Sequence, residues 1–412
     1  MGLKDTASLA LIPAAYKTSK IYSALPTDGD GDFTFTRTGN ATRINKAGLV
    51  ETMGTNIGRL NYDLTNGTPA SCPSLLLEPS RQNVARQSEQ FSVSPWNRQS
   101  SSVTTDQTTA PNGTQTADKI QVTGTNQARC EQFKSATSNT STFSVFVKAG
   151  NNRYIALAQF GATGGPNVIF DLQNGAITTA STYATNKGIQ AYPNGWYRIF
   201  MTYSHSSSDS YDIFKIVLCN NPTNYTACTV GENCFIWGAQ KEFGNTLTSY
   251  IPTTTADKTR TADACGDAGN STIIKAEGSL FVDFTTLNTD NFKRIYIISN
   301  ADFNNSIFIQ LLGTSFAVQV ISGGTTLYSW GFTITLSDRH KIALRYKDGD
   351  SQLYYNGTQQ TATTASGTWF SEGLLNKFTF SPSSFFNFYG EVNQAMVFNE
   401  ELSNSELQTL TS

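Results

Sequence analysis

Apolar residues in this chain fall in short alternating runs bounded by glycine and asparagine, and long helix-forming stretches are almost absent. In "STFSVFVKAG", Phe143, Val145 and Val147 alternate with Ser144, Phe146 and Lys148. A period of two places each set on its own face of a strand. The runs "RYIALAQF", "NVIFDLQNG", "WYRIFMTYS", "DIFKIVLC" and "CFIWGAQ" follow at sandwich-like spacing. The tripeptides "QNG" and "PNG" supply turn residues that tolerate positive φ. After "TSYIPTTTADKTRTADACGDAGNS" a second set begins with "GSLFVDFTTL", in which Leu280, Val282 and Phe284 alternate. It continues through "RIYIISN", "SIFIQLLG", "FAVQVISGG", "HKIALRYKDGDSQLYYNGTQ" and "KFTFSPSS". "KDGD" is a hairpin turn signal. Ser403 and Glu406 have capping-box spacing, with Leu407 and Leu410 on one face, which predicts a short terminal helix. The expectation is an all-β chain of two consecutive antiparallel jelly-roll sandwiches behind an irregular N-terminal region. The boundaries fall at 1–85, 86–263 and 264–412.

Composition narrows the function. At 412 residues the chain has room for two or three cores, and with 15% charged residues and a net charge of −2 it offers nothing to nucleic acid or an anionic membrane. No stretch approaches the roughly 20 apolar residues of a membrane helix. The early run "ASLALIPAA" is broken by Pro13 and preceded by Lys4 and Asp5, which makes it a poor signal peptide. "MGLKDT" fits the loose myristoylation pattern, with nothing else to support a lipid anchor. Six cysteines and two histidines are present, without a C-x-x-C pair, so a zinc site is not expected. Three cysteines crowd "CNNPTNYTACTVGENC"; one bridge there and free thiols in a reducing cytoplasm are both open.

Hydrolytic signatures are missing. The E-x-D-x-E pattern of sandwich glycosidases is absent, as is G-x-S-x-G, and His205 and His340 read as surface or hydrogen-bonding residues. The chain therefore reads as a non-enzyme. Sugar binding needs exposed aromatics with amides or carboxylates beside them. Trp196 and Trp237 sit inside strand runs and read as core, and Trp96 follows a proline and reads as structural. Trp330, Trp369, Tyr328 and Tyr354, near turns of the second sandwich, are the candidate glycan contacts, with core packing as the alternative. No cofactor is expected beyond a structural calcium. Its candidate ligands are Asp28, Asp30 and Asp32 in "TDGDGDFTF". Counted from Asp28, however, the sixth EF position is Phe33 and the twelfth is Gly39, so an EF loop is excluded. What stays open is a site using two of these residues, against a plain Gly-Asp turn.

Several motifs are familiar together. "LPTDGDGDFTFTRTGNATRINKAGLVETMGTNIGRLNYD", "CPSLLLEPSRQN", "SEQFSVSPWNR" and "WGAQKEFGNTLTSYIPTTTADKTRTAD" occur in that order over most of residues 20–263. They resemble a family of tailed-bacteriophage head-fibre, tail-fibre and spike proteins. Residues 88–252 look like a carbohydrate-binding-module jelly roll, and 270–412 look like a concanavalin A-like (laminin G-type) lectin sandwich. The resemblance implies a virion-surface subunit assembled in the bacterial cytoplasm, a homotrimer that docks on capsid, collar or tail through its N-terminal region. It also implies adhesion to host surface glycans, and it carries over no catalytic residue. The competing readings are a secreted bacterial glycan-binding lectin and a polysaccharide depolymerase.

Overall fold

The computed structural model describes residues 2–135, 140–162, 164–206, 209–287, 293–299, 302–335, 338–382 and 386–412. Asn300, Ser383 and Ser384, at the ends of two expected strand runs, lie outside them, as do residues 207–208 of the loop after His205. The fold is all-β, built from several antiparallel sheets, with a short terminal helix.

Two six-stranded sheets form the first sandwich. One runs Asn97–Gln99, Arg129–Ser135, Tyr211–Cys219, Tyr154–Phe160, Asn167–Asp171, Ala176–Ala180 in spatial order. The other runs Ser101–Thr108, Ala117–Val122, Asn233–Phe243, Thr140–Ala149, Trp196–Ser204, Asn186–Ala191. Their inner faces interdigitate: Phe143, Val145 and Val147 meet Ile155, Leu157, Phe214 and Ile216, all fully buried. Phe146 points the other way and is also buried, in a second cluster with Val50, Tyr192, Trp196, Trp237 and Tyr250. That outer cluster exists because the N-terminal hairpin Ala41–Ile44/Val50–Met53 lies on this face; Thr42 donates from its hydroxyl to the Tyr250 carbonyl at 2.6 Å.

The second sandwich is not made from the C-terminal third alone. Strand Gly390–Phe398 pairs on one side with Gly278–Thr286. On its other side it pairs with Leu9–Leu11 and with Ser74–Leu77, and the latter then pairs with Leu60–Asn61. Residues 1–85, read from sequence as an irregular leader, thus supply part of a sheet whose other strands are Arg339–Tyr346, Gln352–Tyr355 and Thr358–Gln360. Leu9, Leu11, Phe33, Phe35, Leu75 and Leu77 enter the same core as Val282, Ile342 and Val397. The facing sheet orders Thr363–Thr364, Thr325–Thr333, Ser315–Ser322, Asp302–Leu312, Lys293–Ser299, Lys377–Thr379. Helix Asn404–Thr411 has the expected cap: the Ser403 hydroxyl accepts from the Glu406 amide, and the Glu406 carboxylate accepts from the Ser403 amide at 2.8 Å. Leu407 and Leu410 pack on the outer face of the sheet, over Phe281, Ala343 and Met396.

Where the N-terminal region meets both sandwiches, three guanidiniums surround two carboxylates away from water. Arg59 bridges Glu78 (2.5 Å) and Asp263; Arg37 holds Asp263 at 3.1 Å, and Arg260 holds Glu78 at 2.9 Å. Every one of these side chains is 2% exposed or less. Most of the remaining valences are filled, the Nε atoms of Arg59 and Arg260 being the exceptions: Ser249 donates its amide and hydroxyl to Glu78 at 2.7 and 2.6 Å, and the Glu78 amide donates to Asp263 at 2.8 Å. Carbonyls of Thr42, Gly54 and Pro79 accept from Arg59, Arg37 and Arg260. Burial by itself would raise the Glu78 carboxyl, but Arg260 and Arg59, helped by Ser249, outweigh it and hold the group near 2. Burial pulls Arg37 and Arg260 below the ordinary arginine value; for Arg59 it is outweighed by Asp263 and Glu78, and that guanidinium is raised.

The sign of the pH dependence follows. Folded Glu78 titrates near 2 against an ordinary 4.5, so its stabilisation is complete above about pH 4.5 and is lost as pH falls toward 2. Glu78→Gln should destabilise by about 3–5 kcal/mol at pH 7, because it takes the paired carboxylate from buried Arg260 and leaves Arg59 with Asp263 alone. It should also flatten the loss of stability between pH 4.5 and pH 2.5, which urea unfolding across that window measures.

Candidate functional site

A cleft of about 860 Å³ opens at the edge of the second sandwich, where the chain crosses from one sheet to the other. Thr358–Gln360 is the last strand of one sheet and Thr363–Thr364 the last strand of the other, joined through Thr361 and Ala362. Leu327, Tyr328 and Trp330 line one side, and Trp369 stands over them. The Tyr328 and Trp330 rings stack at 5.8 Å and 12°, and Trp369 meets Tyr328 edge-on at 6.3 Å. Trp369 is fixed by its indole N–H, which donates to the Ala276 carbonyl at 3.0 Å. The segment before it can lie close because residue 367 is glycine: a Cβ there would stand 2.5 Å from Leu327 Cδ2.

The opposite side is polar. The Gln359 side-chain amide donates to Gln352 Oε1 at 2.7 Å, and the Gln352 side-chain amide donates to Asp350 at 3.1 Å. Arg345 closes the chain on both Asp350 oxygens at 3.0 Å. The Gln352 amide first, then Arg345, hold the Asp350 carboxyl below its ordinary range. The cleft thus sets two half-buried rings against a relay of amides ending in a fixed carboxylate. That arrangement can stack on an apolar ring face and exchange hydrogen bonds with hydroxyls.

Three of the four aromatics singled out in the sequence meet here, in different roles. Tyr328 and Trp369 are half-buried and line the opening. Trp330 is 1% exposed and belongs to the core, contributing only to the floor. Tyr354 is not in the cleft: it is buried beneath the terminal helix with Leu407 and Leu410. Gln352, Gln359 and Asp350 were not anticipated. Their signal was the polar run around the "KDGD" turn, which fixes the hairpin in which Leu344 faces Leu353.

The three aspartates of "TDGDGDFTF" do separate things. Asp28 accepts from the Asp30 amide within its own turn, Asp30 accepts from Asn270, and Asp32 holds Lys20 and the Ser23 amide. Among the described residues no group of three or more His, Cys, Asp and Glu side chains could hold a metal ion. His205 and His340 are both buried. His205 lies 2.9 Å from Asp212, which also holds Lys241 at 2.6 Å, and His340 bonds the Tyr355 hydroxyl. All six cysteines are free thiols, and burial pushes Cys219 up to about 12. Among the described residues no helix is long and apolar enough to cross a membrane.

No protein-family model matches the sequence, and no curated protein matches it. Partial likenesses exist among solved structures. The CBM40 of the Ruminococcus gnavus IT-sialidase, bound to α2,3-sialyllactose, is 14% identical over 36% of this chain and 94% of its own, with a TM-score of 0.30. Domain 4 of AbnA, a GH43 extracellular arabinanase from Geobacillus stearothermophilus, in complex with arabinotriose, is 13% identical over 41% and 86%, at 0.29. Domains LG4-5 of the mouse laminin α1 chain are 11% identical over 82% and 93%, at 0.24. At TM-scores of this size the likeness assigns neither a ligand nor an activity to this chain.

If the amide relay is a binding surface rather than part of the framework, Gln352→Ala with Gln359→Ala should change stability by no more than about 0.5 kcal/mol. Urea unfolding of the double variant measures this; a loss above about 2 kcal/mol would make the relay structural.

Proposed function

We propose that this chain is a non-enzymatic bacteriophage virion protein, a fibre or spike subunit that displays its sandwiches for adhesion to glycans. The cleft at the edge of the second sandwich carries the adhesive half of this reading. It pairs aromatic faces with amide and carboxylate groups, and one of its carboxylates, Asp350, is held by Arg345 and Gln352. The virion half rests on the ordered motifs of residues 20–263. Assembly as a homotrimer would raise avidity for sugar sites that are individually weak. Attachment to capsid, collar or tail would use exposed parts of residues 1–85, such as Asn66 at the tip of the Leu64–Thr65/Thr68–Pro69 hairpin.

Two experiments test the halves separately. On an array of soluble oligosaccharides, the full chain should bind a defined subset, and Gln352→Ala with Gln359→Ala should weaken that subset about tenfold. An unchanged array pattern contradicts the cleft as the adhesive site. Gold-labelled antibody should decorate intact virions at one structural position. A chain found only free in culture fluid would instead support a secreted lectin, and release of reducing ends from capsule polysaccharide would support a depolymerase.

A further inference from the structure

The first sandwich carries an uncovered aromatic row that the cleft does not explain. Phe133 is 62% exposed, Phe160 53% and Tyr211 36%. The ladder register brings them together. Phe133 and Phe160 both stand opposite Ile213, from the strands on either side, and Tyr211 lies two residues along from Ile213 on the same face. The Tyr211 ring is 6.2 Å from Phe133 and 5.8 Å from Phe160. Gly161 makes this contact: at φ 109° it lets the chain turn away, and a Cβ there would stand 2.1 Å from the Tyr211 carbonyl oxygen.

The rest of this sheet face is treated differently. Beside the row, Ala156, Ala158, Ile169, Val217 and Cys219 are buried, with Tyr225 of the following loop packed against them. That loop is tied down by Thr178 and Thr179, whose hydroxyls donate to the Pro222 carbonyl at 2.8 and 2.9 Å. Among the described residues, cover therefore reaches one half of the face, and the row of rings is left out. One step below the row, Lys215 and Glu131 are paired across the ladder, with Lys215 Nζ 5.0 Å from the Phe160 centroid and 4.0 Å from Glu131. Arg129 holds the same Glu131 at 2.7 Å.

Size decides what such a face can hold. With a whole aromatic side chain taken as about 200 Å², the exposed fractions leave about 300 Å² of ring surface. A stable protein interface needs about 800 Å² on each partner, so the row is too small to be one by itself. It suits one or two sugar rings, which present a flat C–H face to aromatics and a hydroxyl edge to polar neighbours.

We infer that Phe133, Phe160 and Tyr211 form a second glycan platform, on the first sandwich, for a pyranose unit whose hydroxyls reach Lys215 and Glu131. This rests on the glycan-adhesion reading above but uses a different domain. The test compares the full chain, Phe133→Ser with Phe160→Ser, and Gln352→Ala with Gln359→Ala on one oligosaccharide array, with sedimentation of each. Both platform changes face solvent, so folding is retained, and Lys215→Ala serves as a milder second variant. The platform variant should lose about tenfold in binding to glycans that the cleft variant retains. If the platform variant keeps the full pattern while the cleft variant loses its subset, the platform is overturned and the cleft stands. If the platform variant changes only the sedimentation coefficient, the row is a contact between copies. If the unaltered chain binds nothing, both sites fail.

Discussion

The structure depends on the buried ion network formed by Arg37, Arg59, Glu78, Arg260 and Asp263. Its members come from the N-terminal region and from the connector that follows the first sandwich. Arg59 and Asp263 are separated by 204 residues. Taking these charges out of water is unfavourable unless geometry and hydrogen bonding are complete. Here they are nearly so, through Ser249 and three backbone carbonyls. The network is therefore satisfied in one arrangement of the N-terminal region, the connector and both sandwiches. A misplaced segment would leave an unpaired charge in the interior.

That constraint explains how residues 1–85 fold without a full core of their own. Leu9–Leu11 and Ser74–Leu77 lie against the last strand of the chain, and Phe33 packs on Phe378 and Phe380 from near the C-terminus. The chain closes on itself, with its first strands covering an edge that the C-terminal strands would otherwise leave open. On the other side, Val50 and Thr42 bind the outer face of the first sandwich. One region thus braces both sandwiches.

Much of this was legible in the sequence. Alternation in "STFSVFVKAG" gave the strand, although not that Phe146, on the opposite face from Val145, is buried too by a hairpin 100 residues upstream. The capping box gave the terminal helix from local chemistry alone. Pairing across hundreds of residues leaves no local trace. Arg37, Arg59, Glu78, Arg260 and Asp263 all lie inside the family-like motifs, yet nothing in those motifs says that they meet. The cleft shows the same limit. Trp369 next to glycine and serine was a fair signal for exposure, whereas Tyr354 alternates outward onto a face that the terminal helix then covers. Asp28, Asp30 and Asp32 share a pattern but not a site, because the turn sends each carboxylate to a different partner.

Native-state hydrogen exchange tests the bracing role most directly. If the buried ion network and the shared sheet make residues 1–85 part of the second sandwich, amides of Leu9–Leu11 and Ser74–Leu77 should exchange together with those of Gly390–Phe398. Their opening free energies should then agree to within about 1 kcal/mol. Fast exchange of the two N-terminal strands while Gly390–Phe398 stays protected by Gly278–Thr286 would show a separable leader, and would contradict the fold as a single braced unit.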